Sequence, residues 1–131
     1  MIYNTSAAIA WYVDLPWSDA ARRLVADDPA PQAPDLIIAE SANGFWQYIR
    51  AGRLSEENAR TALDHLDAAL TLVPANTFFA RALGLAVQHD HPVYDCFFLA
   101  LAENRKTALV TADRRLAQLA ENAAVEVQSL P

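Results

Sequence analysis

Short extended segments alternate with helical ones along this whole chain, and that alternation is the tightest constraint on what it can fold into. Ile2-Tyr3, Thr71-Leu72-Val73-Pro74, residues 107–111 and residues 125–127 read as strands, and the stretches between them carry helical periodicity. Strands separated by helices pair in parallel through right-handed crossovers. The expectation is an α/β domain, a small parallel sheet with helices on both faces. The chain has 131 residues, one domain's length, without repeat or linker, so 1–131 reads as a single unit.

The helices can be placed from their ends. A first helix is expected over 5–13, capped by Thr5 or Ser6, and a second from Pro16-Trp17-Ser18-Asp19 to Ala26, where Ser18 or Asp19 can serve the first-turn amides. Asp27-Asp28-Pro29-Ala30-Pro31 breaks it. Over 35–50, Leu36, Ile37, Ile38, Ala39, Ala42, Phe45, Trp46 and Ile49 cover more than half of a helical wheel, so this helix needs more than one neighbour. Ala51-Gly52 closes it, and Ser55 opens an amphipathic helix with Ala59, Ala62, Leu63, Leu66, Ala69 and Leu70 on one face. Helices over 76–88, 93–104 and 113–120 follow, with His89-Asp90-His91-Pro92 as a surface loop.

Composition removes several classes. With 53% apolar and 20% charged residues, the chain can bury a core and is not disordered. The single cysteine, Cys96, excludes an intrachain disulfide framework and a multi-cysteine zinc site, and it reads as a small core residue. No basic segment precedes an apolar one at the N-terminus, and the longest apolar run, 96–102, is too short to span a bilayer. A cytoplasmic protein without a membrane anchor is expected. The net charge of −6 argues against broad coating of a duplex but leaves local clusters at Arg22-Arg23, Arg50 with Arg53, Arg105-Lys106 and Arg114-Arg115. Most such pairs are solvated helix faces, although arginine's planar fork also suits phosphate.

In an open parallel sheet, ligands bind beyond the carboxyl ends of the strands. Asn4 ends the first strand, and Asp113 follows the strand 107–111 by two residues. Glu40 lies inside the apolar helix over 35–50, and Asp95 interrupts the apolar stretch Val93-Tyr94-Asp95-Cys96-Phe97-Phe98-Leu99. An ionised carboxylate in such surroundings must be paired, hydrogen-bonded or metal-bound. At about 4 Å and an effective dielectric of about 20, two such charges repel by roughly 4 kcal/mol, which a divalent cation would offset. Oxygen-only ligands point to Mg²⁺ or Mn²⁺ rather than Zn²⁺. Taken singly, Asp95 has a bland explanation as a first-turn helix acid, Asp113 as a helix cap and Glu40 as a solvated position; their convergence on one edge does not. Ser6 and Thr111 place hydroxyls beside the same edge, with helix capping the simpler role for Ser6.

These residues resemble a PIN-domain ribonuclease of the VapC type, the toxin half of bacterial toxin–antitoxin pairs. The resemblance rests on Ile2-Tyr3-Asn4-Thr5-Ser6-Ala7, on Ala33-Pro34-Asp35-Leu36 leading to Glu40 and Asn43, on Tyr94-Asp95 with Leu99-Ala100-Leu101-Ala102, and on Leu109-Val110-Thr111-Ala112-Asp113-Arg114-Arg115-Leu116. Their order and spacing carry it across nearly the whole chain. It implies a PIN-like three-layer fold of about five strands, and metal-dependent endonucleolytic cleavage of RNA. Its acidic cluster falls on position 4, Glu40, Asp95 and Asp113, which would hold Mg²⁺ or Mn²⁺ and do the catalytic work, with Thr111 nearby. Arg114 and Arg115 become candidates for phosphate contact.

One departure is central: the family's motif has Asp at position 4, and this chain has Asn4. The amide can offer a carbonyl oxygen but no charge, so weaker metal binding and an attenuated or inactive enzyme are expected. The resemblance further implies an antitoxin partner, a homodimer and an RNA substrate such as transfer RNA. Trp11, Trp17, Phe45, Trp46, Tyr48 and Ile49 either fill the core or form an exposed interface. Two other functions compete. A non-catalytic PIN-like module contacting antitoxin or RNA agrees with Asn4, whereas a doubly wound Mg²⁺ phosphatase needs a nucleophilic Asp there, which Asn4 cannot replace.

Overall fold

The computed structural model describes residues 1–130. Its strands are β1 (Ile2–Tyr3), β2 (Gln32–Pro34), β3 (Thr71–Val73), β4 (Leu109–Thr111) and β5 (Val127–Ser129). They form one sheet in the order β3-β2-β1-β4-β5, with every neighbouring pair parallel. The chain therefore builds outward from β1 to β2 and β3, then returns to lay β4 and β5 on the other side. Right-handed crossovers send the first set of helices, α1 (Thr5–Ile9), α2 (Ser18–Ala26), α3 (Leu36–Arg50) and α4 (Glu56–Ala69), to one face. The second set, α5 (Phe79–His89), α6 (Val93–Arg105) and α7 (Arg114–Asn122), goes to the other. Accordingly α1 packs on β4 and α3, while α6 lies against β1, β2 and β4. This is the expected α/β, three-layer fold.

Burial on both faces explains the strand composition. Ile2, Tyr3, Leu109 and Val110 are fully buried, and on α6 so are Cys96, Phe98, Leu99 and Leu101. Each large aliphatic side chain removed from water stabilises by about 1.5–3 kcal/mol, so this layer carries much of the fold. A second cluster, Ile9, Val13, Phe45, Ala59 and Ala62, joins α1, α3 and α4. Gly44 permits that approach, because a Cβ there would strike the end of Ile9. Along α3, Ile37, Ser41 and Phe45 are buried at four-residue spacing, while Ala39, Ala42 and Trp46 are exposed. The apolar surplus on this helix is thus partly open, and Arg50 sits 4.9 Å over the Trp46 ring. Of the other aromatics singled out, Trp11, Trp17 and Tyr48 are half-buried.

Local differences from the sequence expectation have physical reasons. Strand β2, rich in neither β-branched nor aromatic residues, is made by its two neighbours: Gln32 pairs with both Ile2 and Thr71. Pro34 is tolerated because the β1–β2 ladder has ended before it. Helix α1 stops at Ile9 and continues as turns, and β5 lies at Val127–Ser129 rather than 125–127. The cap of α1 is Asn4, not Thr5 or Ser6, and Ser18 bonds Val13 and Leu15 rather than capping α2. Ser55 does cap α4, accepting from the Asn58 N–H at 3.0 Å. No helix among the described residues is long and apolar enough to cross a membrane.

Candidate active site

The strand order reverses between β1 and β4, and the crevice at such a switch point is where α/β sheets place ligands. Tyr3 pairs with Val110, so Asn4 and Thr111 end adjacent strands side by side. A cavity of about 490 Å³ opens there, lined among others by Asn4, Thr5, Ser6, Glu40, Asn43 and Asp95. Asn4 comes from the end of β1, Glu40 from the second turn of α3 and Asp95 from the first turn of α6.

Asn4 is held by a dense set of donors. Its Oδ1 accepts from the Ser6 N–H at 3.2 Å and from Ser6 Oγ at 2.8 Å, and Thr111 Oγ1 lies 3.2 Å away. The backbone N–H can only donate, so the amide oxygen must face it. Asn4 Nδ2 is left over, with no hydrogen bond among the described residues. Ser6 Oγ also accepts from the Ala112 N–H at 2.9 Å, and Thr111 Oγ1 accepts from the Asp113 N–H at 3.0 Å. Ser6 and Thr111 therefore lace the loop after β1 to the loop after β4.

The two cavity carboxylates are each held on one oxygen. Thr5 Oγ1 donates to Glu40 Oε1 at 2.6 Å, and Asp95 Oδ2 lies 2.8 Å from His91 Nε2. Burial pushes the Glu40 carboxyl above its ordinary range; the Thr5 hydroxyl opposes this and the negative charge of Asp95 adds to it. Asp113 stands apart from this lining. It is the N-cap of α7, where its Oδ1 accepts from the N–H groups of Arg115 and Leu116 at 2.8 and 3.2 Å. Arg114 and Arg115 are exposed, and Arg115 lines a separate cavity of about 250 Å³ with His89, His91, Gln118 and Asn122.

No group of three His, Cys, Asp or Glu side chains is spaced to hold a metal among the described residues. Glu40 and Asp95 nevertheless fit a hard cation that keeps several waters, since Mg²⁺ is commonly bound through one or two carboxylates. Asn4, with its oxygen taken, adds no free acceptor to that pair. Cys96 is buried, and its thiol is pushed up to about 11 by burial and by the Asp95 charge, so it is no nucleophile at neutral pH.

Sequence reasoning left out two members of this site. Thr5 carried no signal beyond its place next to Asn4. His91, read as a surface residue, has a side chain only 8% exposed; its signal was the four-residue step to Asp95 across a helix start.

Fold and cavity together define a doubly wound α/β protein with an acidic crevice at its switch point. A PIN domain family model matches residues 1–122. Ribonuclease VapC3 of Pyrobaculum aerophilum is 32% identical over 121 residues, covering 90% of this chain and 92% of its own length. Ribonuclease VapC9 of Mycobacterium tuberculosis is 32% identical over 117 residues, covering 88% of this chain and 87% of its own. The crystal structure of PAE2754 from Pyrobaculum aerophilum superposes with a TM-score of 0.68 at 22% identity, covering 94% of this chain and 96% of that one, which supports the fold. The chain belongs to the PIN-domain family, as a VapC-type toxin.

Proposed function

We propose that this chain is an endoribonuclease, the toxin of a toxin–antitoxin pair, dependent on Mg²⁺ or Mn²⁺ and attenuated by Asn4. The observation that carries this is the meeting of Asn4, Glu40 and Asp95 around one cavity at the switch point. Glu40 and Asp95 would hold the cation, which supplies an activated water and charge stabilisation at the attacked phosphate. Thr5 fixes the Glu40 carboxylate, while Ser6 and Thr111 fix position 4. An Asp at that position would keep one oxygen on Ser6 and turn the other, charged, toward the cavity; Asn4 has a donor there instead. Asp113, which does not line the cavity, has one oxygen committed to the α7 cap and no hydrogen bond on the other among the described residues. Arg114 and Arg115, just beyond it, are suited to the RNA backbone, transfer RNA being the first substrate to try.

Two protein partners belong to this proposal, in a cytoplasmic setting. Tyr94, 64% exposed, lines the cavity, and Trp46, 51% exposed, lies on α3 one turn beyond the lining residue Asn43; both suit an antitoxin segment. Phe79, Leu83 and Val87, 65%, 56% and 77% exposed at four-residue spacing on α5, suit a second copy of this chain, because an apolar stripe complements itself about a two-fold axis. The competing function, a non-catalytic binding module, is favoured by the committed oxygen of Asn4. Cleavage of transfer RNA by this chain and by Asn4→Asp, with Mn²⁺, Mg²⁺ or chelator, separates them. The enzyme proposal expects cutting by the Asp form that chelator stops; no cutting by either form favours the binding module.

A further inference from the structure

The connection from α5 to α6 is three residues long, and its backbone aims one side chain. Asp90 ends α5 in the left-handed region at φ 51°, the His91 N–H donates to Ala86 O at 3.1 Å, and Pro92 sets φ −54° at the start of α6. The His91 ring is thereby turned inward onto Asp95, with Nε2 2.8 Å from Oδ2. A loop histidine would ordinarily stay hydrated, yet this side chain is only 8% exposed, against 26% for Asp95. An ionised carboxylate only accepts, so Nε2 carries the proton and donates. Glu40 is treated alike: Thr5 Oγ1 takes Oε1 and leaves Oε2.

We propose that His91 is a positioning residue for Asp95, holding Oδ2 so that Oδ1 is the oxygen presented to the cavity shared with Glu40. The proposal rests on the metal-dependent reading of that cavity. Ligating carboxylates are held by such outer partners, whose loss lowers metal affinity by about 10–100-fold. His91 also lines the second cavity, with Arg115 and Gln118.

The test is Mn²⁺ binding, read by electron paramagnetic resonance, to the full chain and to Asn4→Asp, each alone and with His91→Ala, His91→Phe or His91→Gln. His91→Ala and His91→Phe, the latter keeping the ring volume should the former not fold, are expected to weaken Mn²⁺ by about 10–100-fold. His91→Gln, whose amide nitrogen reaches where Nε2 stood, is expected to stay within about threefold of its parent. Circular dichroism melting of the metal-free proteins, unchanged for His91→Gln and His91→Phe, marks the effect as local. Parent binding that survives His91→Phe overturns this proposal alone. Failure of both parents to bind Mn²⁺ overturns it together with the metal-dependent function.

Discussion

Thr111 Oγ1 stands 3.2 Å from Asn4 Oδ1 across the seam where β1 and β4 run side by side, 107 positions apart in the chain. Both are buried polar groups, Asn4 at 4% exposure and Thr111 at 0%, so each must find its partners within the protein. The site is thus part of the strand pairing, not an addition to its surface.

Removing that hydroxyl strands the Asp113 N–H and one acceptor site of Asn4. Thr111→Val is expected to lose about 1–3 kcal/mol of stability, whereas Thr111→Ser keeps most of it. Urea unfolding of the three proteins measures the difference.

Glu40 gives a pH dependence whose sign can be worked out. Its folded pKa lies above its ordinary value of 4.5, through burial first and the Asp95 charge in addition. A raised acid contributes its stability fully below the unfolded value and loses it as pH rises through the folded one. Glu40→Gln keeps an acceptor for Thr5 Oγ1 and removes the charge. Without metal it should match the parent near 4.5 and gain on it at neutral pH, as followed by urea unfolding across a pH series. A parent that outlasts Glu40→Gln at neutral pH contradicts this.

At Asp113 the structural and chemical roles separate. Asp113→Ala removes the α7 cap and should cost about 0.5–2 kcal/mol. Asp113→Asn keeps the cap, so its melting temperature should hold. In an Asn4→Asp background, a fall in RNA cleavage by Asp113→Asn then reports the free oxygen rather than the helix.

Cys96 should behave as core. At 0% exposure, with its thiol pushed up to about 11, it is expected to react with a disulfide reagent only through unfolding. Labelling that remains slow in buffer and becomes fast past the urea midpoint is the expected pattern; fast labelling of the folded chain would contradict it.

The sequence made the layer order legible because each crossover helix announces itself by period and cap, as Ser55 and the stripe from Ala59 to Leu66 do. Strand β2 was not legible. Gln32-Ala33-Pro34 has no strand character of its own, and its conformation comes from Ile2 and Thr71 on either side. At the site, Glu40 and Asp95 stood out because a carboxylate inside an apolar stretch needs a reason. The orientation of the Asn4 amide was beyond sequence, because it depends on which donors surround it. His91 was missed for a like reason: a loop is read as solvated until its backbone turns a side chain inward.

The capping of α1 by Asn4 has a consequence for how change at this position is felt. Only the oxygen turned toward Ser6 supports the backbone, and Asp and Asn supply that atom equally. The other atom, oxygen in one and nitrogen in the other, sets the charge beside Glu40 and Asp95. The helix cap and the charge of the crevice are therefore written on opposite ends of a single planar group, so a change from Asn to Asp keeps the start of α1 while it alters the field around the two carboxylates.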